Sequence, residues 1–229
     1  MDNAILEMGM STEYVKNQIL SKADIMKELE NIIPWLENWT GAFLHNVYHE
    51  FKNIQKYNSI LFCALQSQTM QLDWARFSFC SGQYDMALRE LRNIIESGFL
   101  FFKYDYKNEY WDLSIPEKYE RIKEDIENDS KNGFGKTVFR NSGYSDWEDV
   151  YDNIYSPLSK YVHTGNNIER AMDIDRKGFN GVLNPYFNAE EIHNCISYYK
   201  KVVHTEARLM ETILDEVYNI NAEYVSIFQ

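Results

Sequence analysis

Only four prolines and ten glycines interrupt the 229 residues, and this scarcity limits the fold more than any other feature of the sequence. Proline ends helices and glycine is common in tight turns, so a chain with few of both favours long helices over a many-stranded sandwich. Apolar residues recur at spacings of three and four through most of the chain, which is the helical period. The sequence therefore predicts an all-α fold, a bundle of six or seven helices.

The clearest local prediction is a long antiparallel helical hairpin around the turn at residues 81–83. Apolar residues at helical spacing run through 60–80 and 84–104, and Gly82 is suited to the positive φ of a helix C-terminus. Two helices joined by so short a turn pack antiparallel. The same period predicts a last long helix over 188–220.

We expect a single domain over residues 1–229. Its N-terminal helices occupy 1–56, with Ser11 as the N-cap of the first, and the rest of the bundle occupies 57–229. Charged residues replace aliphatic ones between about 105 and 145. This change of composition predicts an acidic insertion that contains a short exposed helix.

The charge and the cysteines of the chain indicate its compartment and its partners. A net charge of −12 opposes binding of the whole surface to nucleic acid or to anionic lipid. The three cysteines form no CxxC pair, which is typical of reduced, buried thiols in a cytosolic protein. No apolar run approaches the roughly 18 residues of a membrane span. We therefore predict a cytoplasmic protein without a membrane segment, and no motif calls for a cofactor.

Two histidines form a candidate metal pair. His45 and His49 are four residues apart, so a helix places both imidazoles on one face, as two zinc or iron ligands require. The residues between them include no Glu, which excludes the HExxH metalloprotease motif. Spacing selects no third ligand, so partly exposed polar histidines are the favoured interpretation. The glycine-containing run 131–136 lacks the spacing of a phosphate-binding loop and predicts a plain loop.

Charged residues on the second helix of the hairpin stand out from their apolar surroundings. Arg89, Arg92 and Glu96 share one face of that helix, and the last two can form an ion pair one turn apart. Such a pair is an ordinary surface feature if it is exposed. Buried between helices, it needs further partners and suits a fixed polar network. The sequence leaves both interpretations open.

A second polar run lies at a predicted helix end before a glycine. It contains Tyr155, Ser159, Lys160, Tyr161 and His163. Ser159 and His163 can share a helix face, but a Ser–His dyad for acyl transfer also needs an acidic orienter and an oxyanion hole, which nothing here indicates. Alternatively, Lys160 and His163 contact a phosphate, with His163 as the general acid–base of RNA cleavage.

Both polar runs lie in segments that resemble one protein family. Residues 77–97 combine a short turn, an alanine-containing helix and the pattern Leu-Arg-x-x-x-Glu-Ser, and they resemble a hairpin of HEPN-like proteins. Residues 158–165, Leu-Ser-Lys-Tyr-Val-His-Thr-Gly, resemble a later helix end of the same proteins. HEPN-like proteins are all-α domains of prokaryotic defence and toxin–antitoxin systems, including abortive-infection proteins.

The resemblance implies a helical bundle, often a homodimer, whose active members are metal-independent ribonucleases. Their signature is an Arg shortly before a His, with both side chains at the cleft between protomers. The His corresponds to His163, but positions 156–158, where the Arg would stand, hold Ser, Pro and Leu. Arg92 from the facing helix, or Lys160, would have to replace it, with Ser159 as a further phosphate contact.

Three functional hypotheses follow. The first is a HEPN-like domain of a defence or toxin–antitoxin system that acts by binding and dimerisation. Its expected partners are a second copy, an RNA or nucleotide, and another protein. The second is the metal-independent ribonuclease just described, and the third is a metal-binding bundle built on the histidine pair. The binding residues of the first hypothesis are Arg89, Glu96, Tyr155 and Tyr161.

Overall fold

The structure is a computed structural model that describes residues 2–32, 58–129, 134–162 and 186–220. All regular elements in these ranges are helical, which confirms the all-α bundle. A short 3₁₀ turn, Asn108–Tyr110, is the smallest of them. The described ranges contain eight helices: α1 Asp2–Leu20, α2 23–32, α3 Ile60–Cys80, α4 Tyr84–Tyr106, α5 Ile115–Asp129, α6 Phe134–Ser142, α7 147–159 and α8 Ala189–Thr212.

Helices α3 and α4 form the predicted hairpin, and the long helix α8 packs against both. Gly82 in the turn has a φ of +78°, a left-handed conformation that residues with a side chain rarely adopt. A Cβ at this position would also lie 2.7 Å from the backbone oxygen of Tyr186. The Tyr84 hydroxyl donates to that same oxygen at 2.7 Å. The chain that enters α8 is thereby held against the hairpin turn.

A buried carboxylate closes the open end of the hairpin. Asp105, in the last turn of α4, accepts hydrogen bonds from the N–H groups of Ile60 and Leu61 at 3.0 and 2.9 Å. It also accepts from Ser59 Oγ at 2.6 Å and from Lys118 Nζ of α5 at 2.9 Å. The side chains of Asp105 and Lys118 are 0% and 1% exposed. The carboxylate satisfies donors at the N-terminus of α3 and joins three helices.

A second buried carboxyl group lies where α3, α4 and α8 meet. Glu206 of α8 is buried and accepts from Gln68 Nε2 at 3.0 Å. Gly98 of α4 leaves the room for it, because a Cβ there would overlap Glu206 Oε1. Burial raises the pKa of Glu206 well above the usual range of a glutamate, and the hydrogen bond from Gln68 only partly opposes this. The uncharged, protonated form of Glu206 is therefore favoured.

Three local predictions are wrong. The cysteines are not all buried, because Cys63 is exposed and Cys80 is partly exposed. Ser11 is not a helix N-cap, because it lies inside α1. Of the predicted loop 131–136, residues 131–133 lie outside the described residues, and residues 134–136 form the first turn of α6. Val138 and Phe139 of this helix are buried in the core. A run of glycines and polar residues is typical of a loop. The helix that begins there is evident only from the tertiary contacts of Val138 and Phe139, which follow the run.

The charged stretch after the hairpin forms α5, which is mostly exposed but buries Lys118 and Ile122 against the bundle. Helix α7 contains a wider π-turn, Tyr151–Tyr155, just before Pro157. Pro157 has no N–H to donate, and the helix admits it directly after this turn. Within the described ranges, no helix is both long and apolar enough to cross a membrane.

The role of Asp105 can be tested by substitution. We expect Asp105→Ala to lower the free energy of unfolding by about 3 to 5 kcal/mol, because the buried ammonium of Lys118 then lacks its partner. Asp105→Asn keeps the shape of the side chain, so it should lower the free energy of unfolding by less than Asp105→Ala does. Urea denaturation measures both, with Asp112→Ala as a control at an exposed aspartate. A loss no larger than that of the control would show that the buried carboxylate is dispensable.

The protonation of Glu206 predicts a pH dependence of stability. Because its pKa is raised on folding, the folded protein keeps a proton that the unfolded chain releases. The free energy of unfolding should therefore fall as the pH rises above about 4.5, by up to about 1.4 kcal/mol per pH unit, until the folded-state pKa is reached. The difference between wild type and Glu206→Gln, measured by urea denaturation from about pH 5 to 8, isolates this contribution. A difference that is flat or rises with pH would contradict a protonated Glu206.

Candidate functional site

The two polar runs singled out in the sequence meet in the structure. Arg92 of α4 faces the C-terminal part of α7, where its Nη2 donates to the Tyr155 hydroxyl at 2.7 Å. The same nitrogen lies 2.7 Å from Glu96 Oε2, one turn along α4. Arg92 Nε donates a longer hydrogen bond of 3.4 Å to Ser159 Oγ. We call Arg92, Glu96, Tyr155 and Ser159 the arginine cluster.

Tyr155 is the centre of the arginine cluster. Its hydroxyl donates to Glu96 Oε2 at 3.1 Å, and the guanidinium carbon of Arg92 lies 5.0 Å from its ring centroid, within range of a cation–π contact. Phe139 of α6 packs on the ring with centroids 4.7 Å apart. A Cβ at Gly135 would lie 2.6 Å from Tyr155 Cε1. The cluster thus depends on a glycine in the run predicted to be a loop, and nothing in the local sequence indicated this role.

The arginine cluster also fixes the end of α7. Ser159, which accepts from Arg92, donates to the backbone carbonyl one turn earlier at 2.9 Å. One turn before Arg92 on α4, Arg89 Nε donates to the backbone oxygen of Tyr161 at 2.8 Å. Two arginines of α4 therefore hold the chain immediately before His163, which itself lies outside the described residues.

Burial sets the charge state of the cluster. It raises the pKa of Glu96, although Arg92 and the hydrogen bond from Tyr155 both act to lower that pKa. Burial also raises the pKa of Tyr155 to about 12, with the Glu96 charge as the next cause. Tyr155 therefore remains a hydrogen-bond donor at neutral pH. The side chains of Arg92 and Glu96 are 18% and 12% exposed, so their opposite charges compensate each other largely out of water.

The structure brings most of the candidate residues together at the end of α7. Arg92 and Glu96 form a largely buried polar network and not an exposed surface pair. Lys160 is exposed, and among the described residues no hydrogen bond joins its ammonium group to the cluster. The candidates that converge on the end of α7 are Arg89, Arg92, Glu96, Tyr155, Ser159 and the backbone of Tyr161.

The metal-binding hypothesis stays a prediction. His45 and His49 lie outside the described residues. In the part of the chain that the structure describes, no three His, Cys, Asp or Glu side chains are grouped closely enough to hold an ion. His193 of α8 instead faces Asp24 and Glu28 of α2, at 3.5 and 3.3 Å, in an exposed contact between the two helices.

A cleft that the sequence did not indicate lies between α7 and α8, with a volume of about 480 Å³. Burial and the charge of Arg208 lower the pKa of His204 in its wall, which favours the neutral imidazole. Cationic and acidic side chains face each other across the cleft, so it selects no sign of charge. Its polar lining includes Lys201, His204 and Arg208 on one side and Asp146, Asp149 and Asn153 on the other.

Of these features, the arginine cluster has the most defined chemistry. All three guanidinium nitrogens of Arg92 are bonded within the chain, since Nη1 donates to Asn93 Oδ1 at 3.2 Å. A guanidinium has five N–H groups, and the contacts with Ser159, Asn93, Tyr155 and Glu96 use four of them. A phosphate that binds Arg92 through two N–H groups must therefore displace at least one of these partners. No protein-family model matches the chain, and comparisons with curated proteins and with solved structures find no significant match.

Removal of Arg92 should destabilise the fold. Arg92→Ala leaves the largely buried Glu96 without its ion pair, and we expect a loss of about 1 to 3 kcal/mol in the free energy of unfolding. Arg121→Ala is the matched control, because Arg121 forms an exposed ion pair, 60% and 59% exposed, whose loss should not be measurable. Thermal denaturation followed by circular dichroism compares the two variants. Equal melting temperatures would show that the cluster adds nothing to stability.

Proposed function

We propose that this chain is a HEPN-like helical domain of a prokaryotic defence or toxin–antitoxin system that acts by binding and dimerisation, without cleaving RNA. The observation that carries the proposal is the state of Arg92, whose nitrogens all donate within the chain and whose charge Glu96 compensates. The family part of the proposal is supported by the all-α hairpin and by the meeting of the two segments that resemble HEPN-like proteins.

Cleavage of RNA without a metal requires a cation that is available to the phosphate as charge develops on it. Positions 156–158 supply none, and Arg92 is already bound. Opening a buried ion pair is costly because each partner is left without compensation. The net charge of −12 further weakens the attraction of RNA to the surface. These features favour a fixed role for Arg92 over a catalytic one.

In this proposal the arginine cluster is a clamp that holds the end of α7 in one arrangement. The exposed side chains of Arg89 and Lys160 lie near that end and locally offset the acidic surface. Two exposed cations beside a fixed helix end suit the phosphate of an RNA end or of a nucleotide. The acidic remainder of the chain limits binding elsewhere.

The second candidate is the metal-independent ribonuclease with His163 as the acid–base group. Its specific support is that Arg89 and Arg92 both hold the helix end immediately before His163. In this reaction Arg92 would exchange Glu96 for the substrate phosphate, and Lys160 or Ser159 would add a further phosphate contact.

A combined binding and cleavage assay separates the two candidates. Wild type, His163→Ala, Arg89→Ala and the control Arg121→Ala are incubated with end-labelled RNAs of mixed sequence, in EDTA to silence metallonucleases. We expect intact RNA in every sample. We also expect Arg89→Ala to weaken retention of RNA ends or of a nucleotide by several-fold to about tenfold, because one phosphate contact is lost.

Two outcomes would contradict the proposal. Cleavage that disappears in His163→Ala, while its far-ultraviolet circular dichroism stays unchanged, would establish the ribonuclease. If Arg89→Ala and Arg121→Ala bind the RNA equally well, the end of α7 is not the phosphate-binding site.

A further inference from the structure

The outward face of α3 carries three large apolar side chains in contact with solvent. Met70, Trp74 and Phe77 are 66%, 51% and 56% exposed, and the rings of the last two stack at 5.4 Å. With the exposed residues Cys63 and Ser67 they follow spacings of four, three, four and three, the period of a two-helix coiled-coil seam. We call these five residues the α3 seam. Large apolar side chains exposed on one face of a helix are typical of an interaction site.

The charges on α3 suit a second copy of the same chain. The 21 residues of α3 include one Asp and one Arg, so this helix is neutral in a chain of net charge −12. Two copies of an acidic chain repel each other, and the repulsion is smallest where a neutral face meets a neutral face. The uncharged seam is therefore a surface on which two copies can approach.

Asp73 and Arg76 make the edge of the seam self-complementary. They lie 3.0 Å apart beside the seam, with side chains 50% and 29% exposed. Suppose that two α3 helices pack antiparallel, related by a twofold axis that passes close to Trp74. Residues that precede the axis on one helix then lie opposite residues that follow it on the other helix. Each Asp73 then lies opposite Arg76 of the second copy, and the reverse pair follows by symmetry.

We propose that a second copy of this chain docks on the α3 seam, with the two α3 helices antiparallel. The inference rests on the dimerisation part of the proposed function and names its interface. Trp74 and Phe77 each offer at most about 150 to 250 Å². Because Trp74 and Phe77 are only 51% and 56% exposed, they and Met70 supply only part of the roughly 800 Å² per partner of a standard interface. Buried area alone does not set affinity, and for so small an apolar patch we expect a reversible dimer, to be tested at dissociation constants around the micromolar range.

Sedimentation of the full chain from about 1 to 100 μM tests the interface around the expected dissociation constant. The wild type should pass from monomer to dimer over this range. Met70→Glu places a charge in the seam and should raise the dissociation constant by about tenfold or more. Met10→Glu is the matched control, because Met10 on α1 is also 66% exposed and the charge change is identical. It should leave the dissociation constant within about twofold.

A charge reversal tests the antiparallel geometry. Asp73→Arg alone brings like charges together across the axis and should weaken the dimer. The double variant Asp73→Arg, Arg76→Asp restores opposite pairs and should recover most of the wild-type affinity. A double variant as weak as the single one would overturn the antiparallel arrangement.

Each remaining outcome has a distinct meaning. If the wild type dimerises and Met70→Glu does not weaken the dimer, the α3 seam is not the interface. The dimerisation in the proposed function would still stand. A wild type that stays monomeric throughout would overturn both. A monomeric wild type whose melting temperature falls in Met70→Glu but not in Met10→Glu would show that the chain's own residues cover the seam.

Discussion

The buried carboxylate of Asp105 is the contact on which the rest of the bundle depends. It binds the first N–H groups of α3, the Ser59 hydroxyl and the ammonium of Lys118, so two helix ends and α5 converge on one buried charge. A charge away from water is stable only with a full set of partners, and four donors surround this one. The two helices of the hairpin are thereby connected at both ends, by the Gly82 turn and by Asp105. Helix α8 packs on the surface that these two helices form together.

Two other buried polar side chains lie where a glycine lets two elements approach closely. Glu206 occupies the space beside Gly98, and Tyr155 lies on Gly135. In both places a Cβ would collide with the polar side chain, so neither arrangement survives a larger residue. Each glycine sits inside a helix, where it weakens the local structure, and the fold compensates by packing another element against it.

The arginine cluster shows how stability and chemistry compete for one side chain. The contacts that hold the end of α7 occupy Nε and Nη2 of Arg92, while Nη1 donates to Asn93 on α4 itself. A guanidinium used in this way orders the chain beside it and leaves one N–H of Nη1 for a phosphate, unless Asn93 or Glu96 is displaced. Arg89 also holds this end, through the backbone oxygen of Tyr161, but its side chain is exposed. A phosphate can therefore reach it without opening the largely buried pair of Arg92 and Glu96.

The sequence alone determined the all-α class, the hairpin and its turn at Gly82, because these follow from helical period and from the conformational range of glycine within a few residues. It also singled out Arg92, Glu96, Tyr155 and Ser159 by their polar character, although not their contacts. Tertiary structure decided what these residues touch, that Gly135 supports Tyr155, and that Asp105 pairs with Lys118. The partners of Arg92 on α7 are 63 and 67 positions away, and Glu206 is 138 positions from Gln68. No local pattern reports such a separation, because only the packing of whole helices brings the two residues together.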